Sequence, residues 1–283
     1  MRYAVIGSKG LLGSELVGVL RDNDREVVGF DRSNFDLHAF NSAKMAEKLS
    51  GFEVVVNAAA FTRVNDAESF ANEAYSVNSR GAGNLAVAAS SVGARMIHVS
   101  TDYVFRGDAQ KAYLTSDKPD PQNEYGRSKA LGEVLVAESG ADYSIVRTAW
   151  LYGCGGSCFP KKIAETLQSK GIARVVNDQI GQPTWAKDLS ELILACSELE
   201  NLPRIVHGTA SGLATWAELA SEVAVFLGLN PAEVIVPISS SDLPTPAIRP
   251  KWSVLDNSTN GLIPIGDWRE RWRIAAPKVL ATL

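Results

Sequence analysis

The chain has 283 residues, 46% of them hydrophobic and 21% charged, an ordinary globular composition with enough chain to bury a core. The formal net charge is −4 with Lys and Arg scattered, so no basic stripe marks a nucleic-acid partner, and no apolar run approaches the eighteen or so residues that a membrane span needs. No leader pattern precedes "MRYAVIG", and Cys154, Cys158 and Cys196 lack zinc-like spacing, so reduced thiols in a cytoplasmic protein are expected.

The first predicted strand, "YAVIG", runs into "GSKGLLG" and then a helix over 11–21. Strand, glycine turn and helix N-terminus suit a dinucleotide pyrophosphate, because free N–H groups and the helix dipole face the anion. Gly7, Gly10 and Gly13 are therefore candidate cofactor residues, with Leu11 and Leu12 between them. The second strand, "EVVGFD", ends at Asp31, eighteen residues past Gly13, where an acid can bind both ribose hydroxyls of the adenosine half. Arg32 follows. An Asp repels the extra phosphate of NADP and an Arg attracts it, so both NADPH and NADH stay open. Asp36 and Leu37 can flank the adenine. The third strand, "EVVVNAA", ends in "NAAAFT", where Ala58, Ala59, Ala60, Phe61 and Thr62 leave room for the cofactor backbone.

A helical stretch over 67–92 follows, with Asp66 and Glu68 expected at its N-terminus. The fourth strand, "RMIHVS", ends at Ser100 and Thr101, at the mouth where open α/β sheets bind ligands. The helix over 124–139 carries Tyr125 and Lys129, four apart and so on one face. A ketone taking up hydride develops negative charge on oxygen, which must be hydrogen-bonded and protonated. A nearby ammonium and an oxidised nicotinamide are expected to lower the tyrosine pKa toward the working range. Thr101 can give the carbonyl a second hydrogen bond.

Further strands "YSIVRT", "ARVVND" and "RIVHGT" and helices over 187–198 and 215–227 complete the pattern. The strands are near-continuous apolar runs, as in a parallel sheet covered on both faces. The expected fold is α/β: a doubly wound, Rossmann-like parallel sheet with a smaller C-terminal substrate-binding lobe. A dinucleotide-binding domain over 1–150 precedes residues 151–283, mainly the lobe, with some segments returning to the sheet.

The glycine turn, "NAAA", "STDYVF" and Tyr-x-x-x-Lys resemble the extended short-chain dehydrogenase/reductase superfamily. "NAAAFTRVNDAE", "STDYVFRG", "RTAWLYG", "VVNDQIGQPTWAKDL" and "TWAELA" narrow the resemblance to the dTDP-4-dehydrorhamnose reductase family over nearly the whole chain. The resemblance implies reduction of the 4-keto group of a dTDP-linked 6-deoxyhexose by NADPH or NADH. It implies Thr101, Tyr125 and Lys129 as catalytic residues, and Gly10, Leu11, Leu12, Asp31, Asp36, Leu37, Ala60, Phe61 and Thr62 around the cofactor. Asp102, Tyr103 and Trp150 would meet the sugar, with Val64 nearby. Lys161, Lys162 or Arg249 could meet the substrate diphosphate. A homodimer is left open. Some relatives pair through a carboxylate-held metal; Glu15 could take part, but Lys187 stands where an acid would be wanted, so no metal is expected.

The chain departs from the family pattern at Ser157, Cys158 and Trp252, where members carry Asn, and Trp252 is expected to stack on the nucleotide or sugar. His38, His98 and His207 read as structural, Cys158 as space-filling, and "DWRERWR" as part of a packed C-terminal helix. Two other functions are carried: a nucleotide-sugar epimerase or dehydratase of the same superfamily, and a non-catalytic NADP-binding regulatory subunit.

Overall fold

The computed structural model describes residues 1–39, 41–257 and 264–281. Six strands form one parallel sheet: β1 (Arg2–Ile6), β2 (Glu26–Phe30), β3 (Val54–Asn57), β4 (Arg95–Thr101), β5 (Tyr143–Thr148) and β6 (Ile205–His207), in the spatial order β6-β5-β4-β3-β1-β2. The chain leaves β1 toward one edge and returns through β3 toward the other. This is the topological switch point at which open sheets bind ligands. The expected fold class holds.

Period-two alternation explains the layers. Tyr3 and Val5 of β1 face one core with Val54, Val56, Ile97 and Val146. Ala4 and Ile6 face another with Val55, Met96 and Ile145. The first core is closed by Leu12, Leu16, Val19 and Leu20 of helix α1 (Leu11–Asp22), spaced i, i+4, i+7, i+8, and by Leu189 and Ile193 of the helix Ala186–Ser197. The second is closed by Met45 and Leu49 of the helix Ser42–Leu49 and by small residues of the helix Ala82–Ser91. Both faces are covered, which is why the strands read as unbroken apolar runs.

Two sequence expectations need correction. "ARVVND" does not join the main sheet: Ala173–Val176 pairs in parallel with Ile235–Ile238 in a separate two-stranded sheet. An apolar run signals a buried strand but not its partner. The stretch 67–92 is not one helix either. It divides into Val64–Ala67, Ala71–Tyr75, a π-helical turn over Ser76–Gly81, and Ala82–Ser91.

Beyond β5 a third core gathers Tyr152, Ile163, Leu167, Val175, Trp185, Val223, Ile235 and Trp272. Trp268 and Trp272 of the helix Trp268–Val279 are both buried, as expected of a packed C-terminal helix. Among the described residues no helix is long and apolar enough to cross a membrane.

Candidate active site

A cavity of about 850 Å3 opens above the C-terminal ends of β1 to β5. It is lined by Gly7, Gly10, Leu11, Leu12, Asp31, Arg32, Asp36, Leu37, Ala58, Ala59, Ala60, Phe61, Thr62, Val64, Ser100, Thr101, Asp102, Tyr103, Tyr125, Lys129 and Trp150, so the structure brings together most of the residues singled out in the sequence.

The turn after β1 fits a dinucleotide. Gly7 has a left-handed φ of +87°, and a Cβ there would lie 2.8 Å from the Ala59 backbone. The N-terminus of α1 has no side-chain cap and no acid in its first turn, so its amides are left for an anion. Gly13 does not line the cavity. A Cβ on it would lie 2.2 Å from the Gly7 carbonyl, so this glycine lets α1 pack against the turn.

Asp31 holds a surrounded carboxylate. It pairs with Lys9 and accepts hydrogen bonds from the Ser33 hydroxyl and the Ser33 N–H, which hold it well below the usual carboxylate range. Arg32 lies 3.9 Å from Asp36. Lys9 also lines the cavity and was not expected from the sequence, where it is one polar residue in a glycine turn.

At the other end stand Thr101, Tyr125 and Lys129. Thr101 closes β4; its hydroxyl donates to Asp102 Oδ1 (2.9 Å) and accepts the Tyr103 N–H (3.2 Å). The helix Glu124–Ala137 that carries Tyr125 and Lys129 starts at Asn123, whose Oδ1 accepts the Gly126 N–H at 2.8 Å. Glu68 accepts the Glu124 N–H at 2.9 Å, so this acid serves the start of a different helix from the one expected.

Lys129 is buried; its Nζ donates to the Val99 carbonyl at 2.6 Å and lies 3.5 Å from His98 Nε2. Burial lowers its pKa to about 8 against the opposing pull of Glu133. Desolvation pushes the Tyr125 phenol up to about 12, opposed by the Thr101 hydrogen bond and reinforced by Asp102. The expected acidification by a neighbouring ammonium is therefore not supplied by the protein groups alone. The Lys129 Nζ bonds back toward β4 instead, and desolvation wins.

Asp102 is 2% exposed, burial raises its pKa to about 6, and its Oδ2 has no hydrogen-bond partner. Ser100 Oγ and Thr148 Oγ1 are unpartnered too, and both residues line the same cavity. Unpaired buried polar atoms are costly, so three around one cavity fit a polar ligand.

The whole chain, residues 1–283, matches the sequence family described as the RmlD substrate binding domain. The chain belongs to this family. It is 39% identical over 276 residues to a dTDP-4-dehydrorhamnose reductase of Streptomyces griseus, covering 95% of this chain and 90% of the relative. It is 37% identical over 292 residues to a probable dTDP-4,6-dihydroxy-2-methyloxan-3-one 4-ketoreductase of Streptomyces antibioticus, covering 99% and 96%. A crystal structure of the Bacillus anthracis dTDP-4-dehydrorhamnose reductase with NADP superposes with a TM-score of 0.92 at 31% identity, covering 97% of this chain and 98% of that one.

In this RmlD-family chain the second half brings Leu151, Ser157 and Trp216 to the cavity. Trp216 stacks on Trp150 and donates its indole N–H to Gln179 at 3.2 Å. Thr148, at the end of β5 and paired in register with Thr101, could have been found by the rule that placed Thr101. Trp216 carried no such signal, because the sequence does not say where a later helix docks.

Several substrate-side expectations change. Arg249 is not among the residues lining the cavity, and its Nη1 donates to Thr245 at 2.6 Å. Lys161 is buried and donates to the Cys154 and Gly156 carbonyls at 2.6 and 3.1 Å, bracing that loop instead of facing an anion. Trp252 is not among the residues lining the cavity, and its indole N–H donates to the Lys111 carbonyl at 2.9 Å. Cys158 is buried as expected, 3.8 Å from the Gly153 carbonyl. Of the three departures from the family pattern only Ser157 touches the cavity.

Proposed function

We propose that this chain reduces the 4-keto group of a dTDP-linked 6-deoxyhexose, dTDP-4-dehydrorhamnose giving dTDP-L-rhamnose, with NADPH or NADH. It is an NAD(P)H-dependent oxidoreductase of nucleotide-sugar biosynthesis. The observation that carries the reading is that Thr101, Tyr125 and Lys129 share one cavity with the glycine turn and Asp31.

When bound, the dihydronicotinamide supplies the hydride. Gly7, Gly10 and the α1 amides would hold the pyrophosphate, and Asp31 with Lys9 the adenosine ribose. At the sugar carbonyl, Thr101 and Tyr125 hydrogen-bond the oxygen, and Tyr125 delivers its proton as negative charge builds there. The raised phenol pKa keeps that proton in place at neutral pH. Lys129, four residues along the same helix, is the cation placed to stabilise the phenolate left behind. Asp102, Tyr103 and Trp150 would border the sugar, with Val64 near. Residues 1–150 would serve the cofactor and residues 151–283 mainly the substrate, through Ser157 and Trp216. A homodimer in the cytoplasm completes the reading, and sedimentation analysis tests the dimer.

The deciding experiment mixes the protein with NADPH or NADH and dTDP-4-dehydrorhamnose and follows cofactor oxidation. Tyr125→Phe is expected to lower kcat by about 10²- to 10³-fold, the usual cost of one oxyanion donor. Sugar conversion without net cofactor consumption would support an epimerase, and cofactor binding with no turnover a regulatory subunit.

A further inference from the structure

The reactive helix and the central sheet meet at a buried polar chain that the reduction itself does not call for. Asn57 closes β3 and is 1% exposed; His98, in β4, is fully buried. Asn57 Oδ1 accepts the Ala59 backbone N–H at 3.2 Å. That donor cannot be reversed, so the group 3.1 Å from His98 Nδ1 is the amide nitrogen. An amide nitrogen only donates. Nδ1 therefore carries the lone pair, and the proton of the neutral ring belongs on Nε2.

His98 Nε2 lies 3.5 Å from Lys129 Nζ. An ammonium has no lone pair with which to meet an N–H, whereas a neutral amine accepts that proton and still donates to the Val99 carbonyl at 2.6 Å. We propose that Asn57 and His98 are positioning residues: Asn57 fixes the Nε2–H tautomer of His98, and that tautomer weights Lys129 toward the neutral amine while its Nζ rests against β4. Lys129 then gains charge when Nζ meets another acceptor, such as a ribose hydroxyl or the Tyr125 oxygen.

The other groups around Lys129 agree. Burial, the larger cause, holds His98 well below its ordinary pKa even beside an uncharged amine, so the ring does not take a second proton. Glu133 on the same helix favours the ammonium, but its carboxylate is committed to Arg147 by two hydrogen bonds of 2.9 and 2.7 Å. Tyr125 stays a neutral phenol, and the charge of Asp102 acts on Tyr125. The proposal rests on the reductase reading for its purpose, not for its geometry.

The test is 15N NMR of ring-labelled, ligand-free protein, with His98 assigned from a His98→Gln variant. The expected result is an Nε2–H tautomer that does not titrate between pH 5 and pH 9. An Nδ1–H tautomer, or a ring titrating near its ordinary value, in the wild-type protein overturns the proposal. Asn57→Asp places an acceptor at Nδ1 and should reverse the tautomer. It should also move the alkaline limb of the kcat/KM profile up by about one unit, tenfold in proton affinity. In Asn57→Asp/His98→Phe most of that shift should vanish; a shift that persists in full means the aspartate acts directly on Lys129 and overturns the role of His98. An Nε2–H tautomer in a protein that reduces no nucleotide ketosugar would sink the functional reading and leave the tautomer lock standing.

Discussion

Trp150 and Trp216 stack face to face in the cleft wall, ring centroids 3.5 Å apart and planes 6° from parallel. Trp150 holds a left-handed φ of +46°, a conformation that costs a non-glycine residue about 1–3 kcal/mol and persists only when its surroundings over-determine it. Trp216 is one constraint. Gly181 is another, since a Cβ there would lie 2.5 Å from the Trp150 indole. Gly181→Ala is therefore expected to displace Trp150, destabilising the fold by about 1–3 kcal/mol as overpacking does. KM for the nucleotide sugar should rise more than kcat falls. Denaturant titration and steady-state kinetics on the one variant check both halves.

Lys129 is costly to bury. Its folded pKa of about 8 lies below the ordinary 10.5, so between those values the unfolded chain binds more protons and wild-type stability rises with pH. Below pH 8 the penalty is present in full, on the order of 3 kcal/mol. Lys129→Met should thus abolish most activity yet stabilise the ligand-free protein at pH 7 by about 1–3 kcal/mol, less what the orphaned Val99 carbonyl costs. Urea midpoints at pH 7 and pH 9.5 read the difference, which should shrink at the higher pH.

Lys9 neutralises the acid that would otherwise repel a 2′-phosphate. Lys9→Ala leaves Asp31 with Ser33, and with Arg32 turned toward Asp36. The variant should shift preference toward NADH by roughly tenfold, about 1.4 kcal/mol. KM values for the two cofactors give the ratio, and an unchanged ratio would remove Lys9 from the cofactor site.

Glu133 and Arg147 form a buried ion pair at 2.7 Å, with side chains 6% and 2% exposed. Glu133→Ala strands the guanidinium and should cost about 3–5 kcal/mol. Glu133→Leu with Arg147→Met should recover much of that loss, because burying two apolar chains avoids the desolvation of both charges. Guanidinium chloride midpoints of the two variants decide it.

The sequence was most informative where one short stretch dictates both backbone and chemistry. Gly7 needs its positive φ, Asp31 ends a strand beside it, and Tyr125 and Lys129 are placed on one face by helical spacing alone. It was least informative where a side chain's partner comes from far along the chain. Lys161 reads as an exposed cation until the loop carbonyls of Cys154 and Gly156 are seen folded over it. Trp252 and Arg249 were expected at the substrate, but the Trp252 indole N–H is given to the Lys111 carbonyl, far along the chain, and one Arg249 Nη1 donor to Thr245. Trp216 reaches the cleft only because its helix docks against the loop that carries Trp150. The strand Ala173–Val176 shows the same limit at the level of topology, since hydrophobicity specifies burial and leaves the neighbour open.

The irregular winding at Ser76–Gly81 has a mechanical consequence. Asn78 within it accepts the Phe61 N–H at 2.7 Å, donates to the Phe61 carbonyl at 3.1 Å and reaches Ser128 at 2.9 Å. A single amide thus fastens the Phe61 loop, one wall of the cavity, to the helix that bears Tyr125 and Lys129. Removing one residue to restore ordinary winding would swing that amide by about 100°. The two walls would then drift independently, though every atom of Thr101, Tyr125 and Lys129 remained.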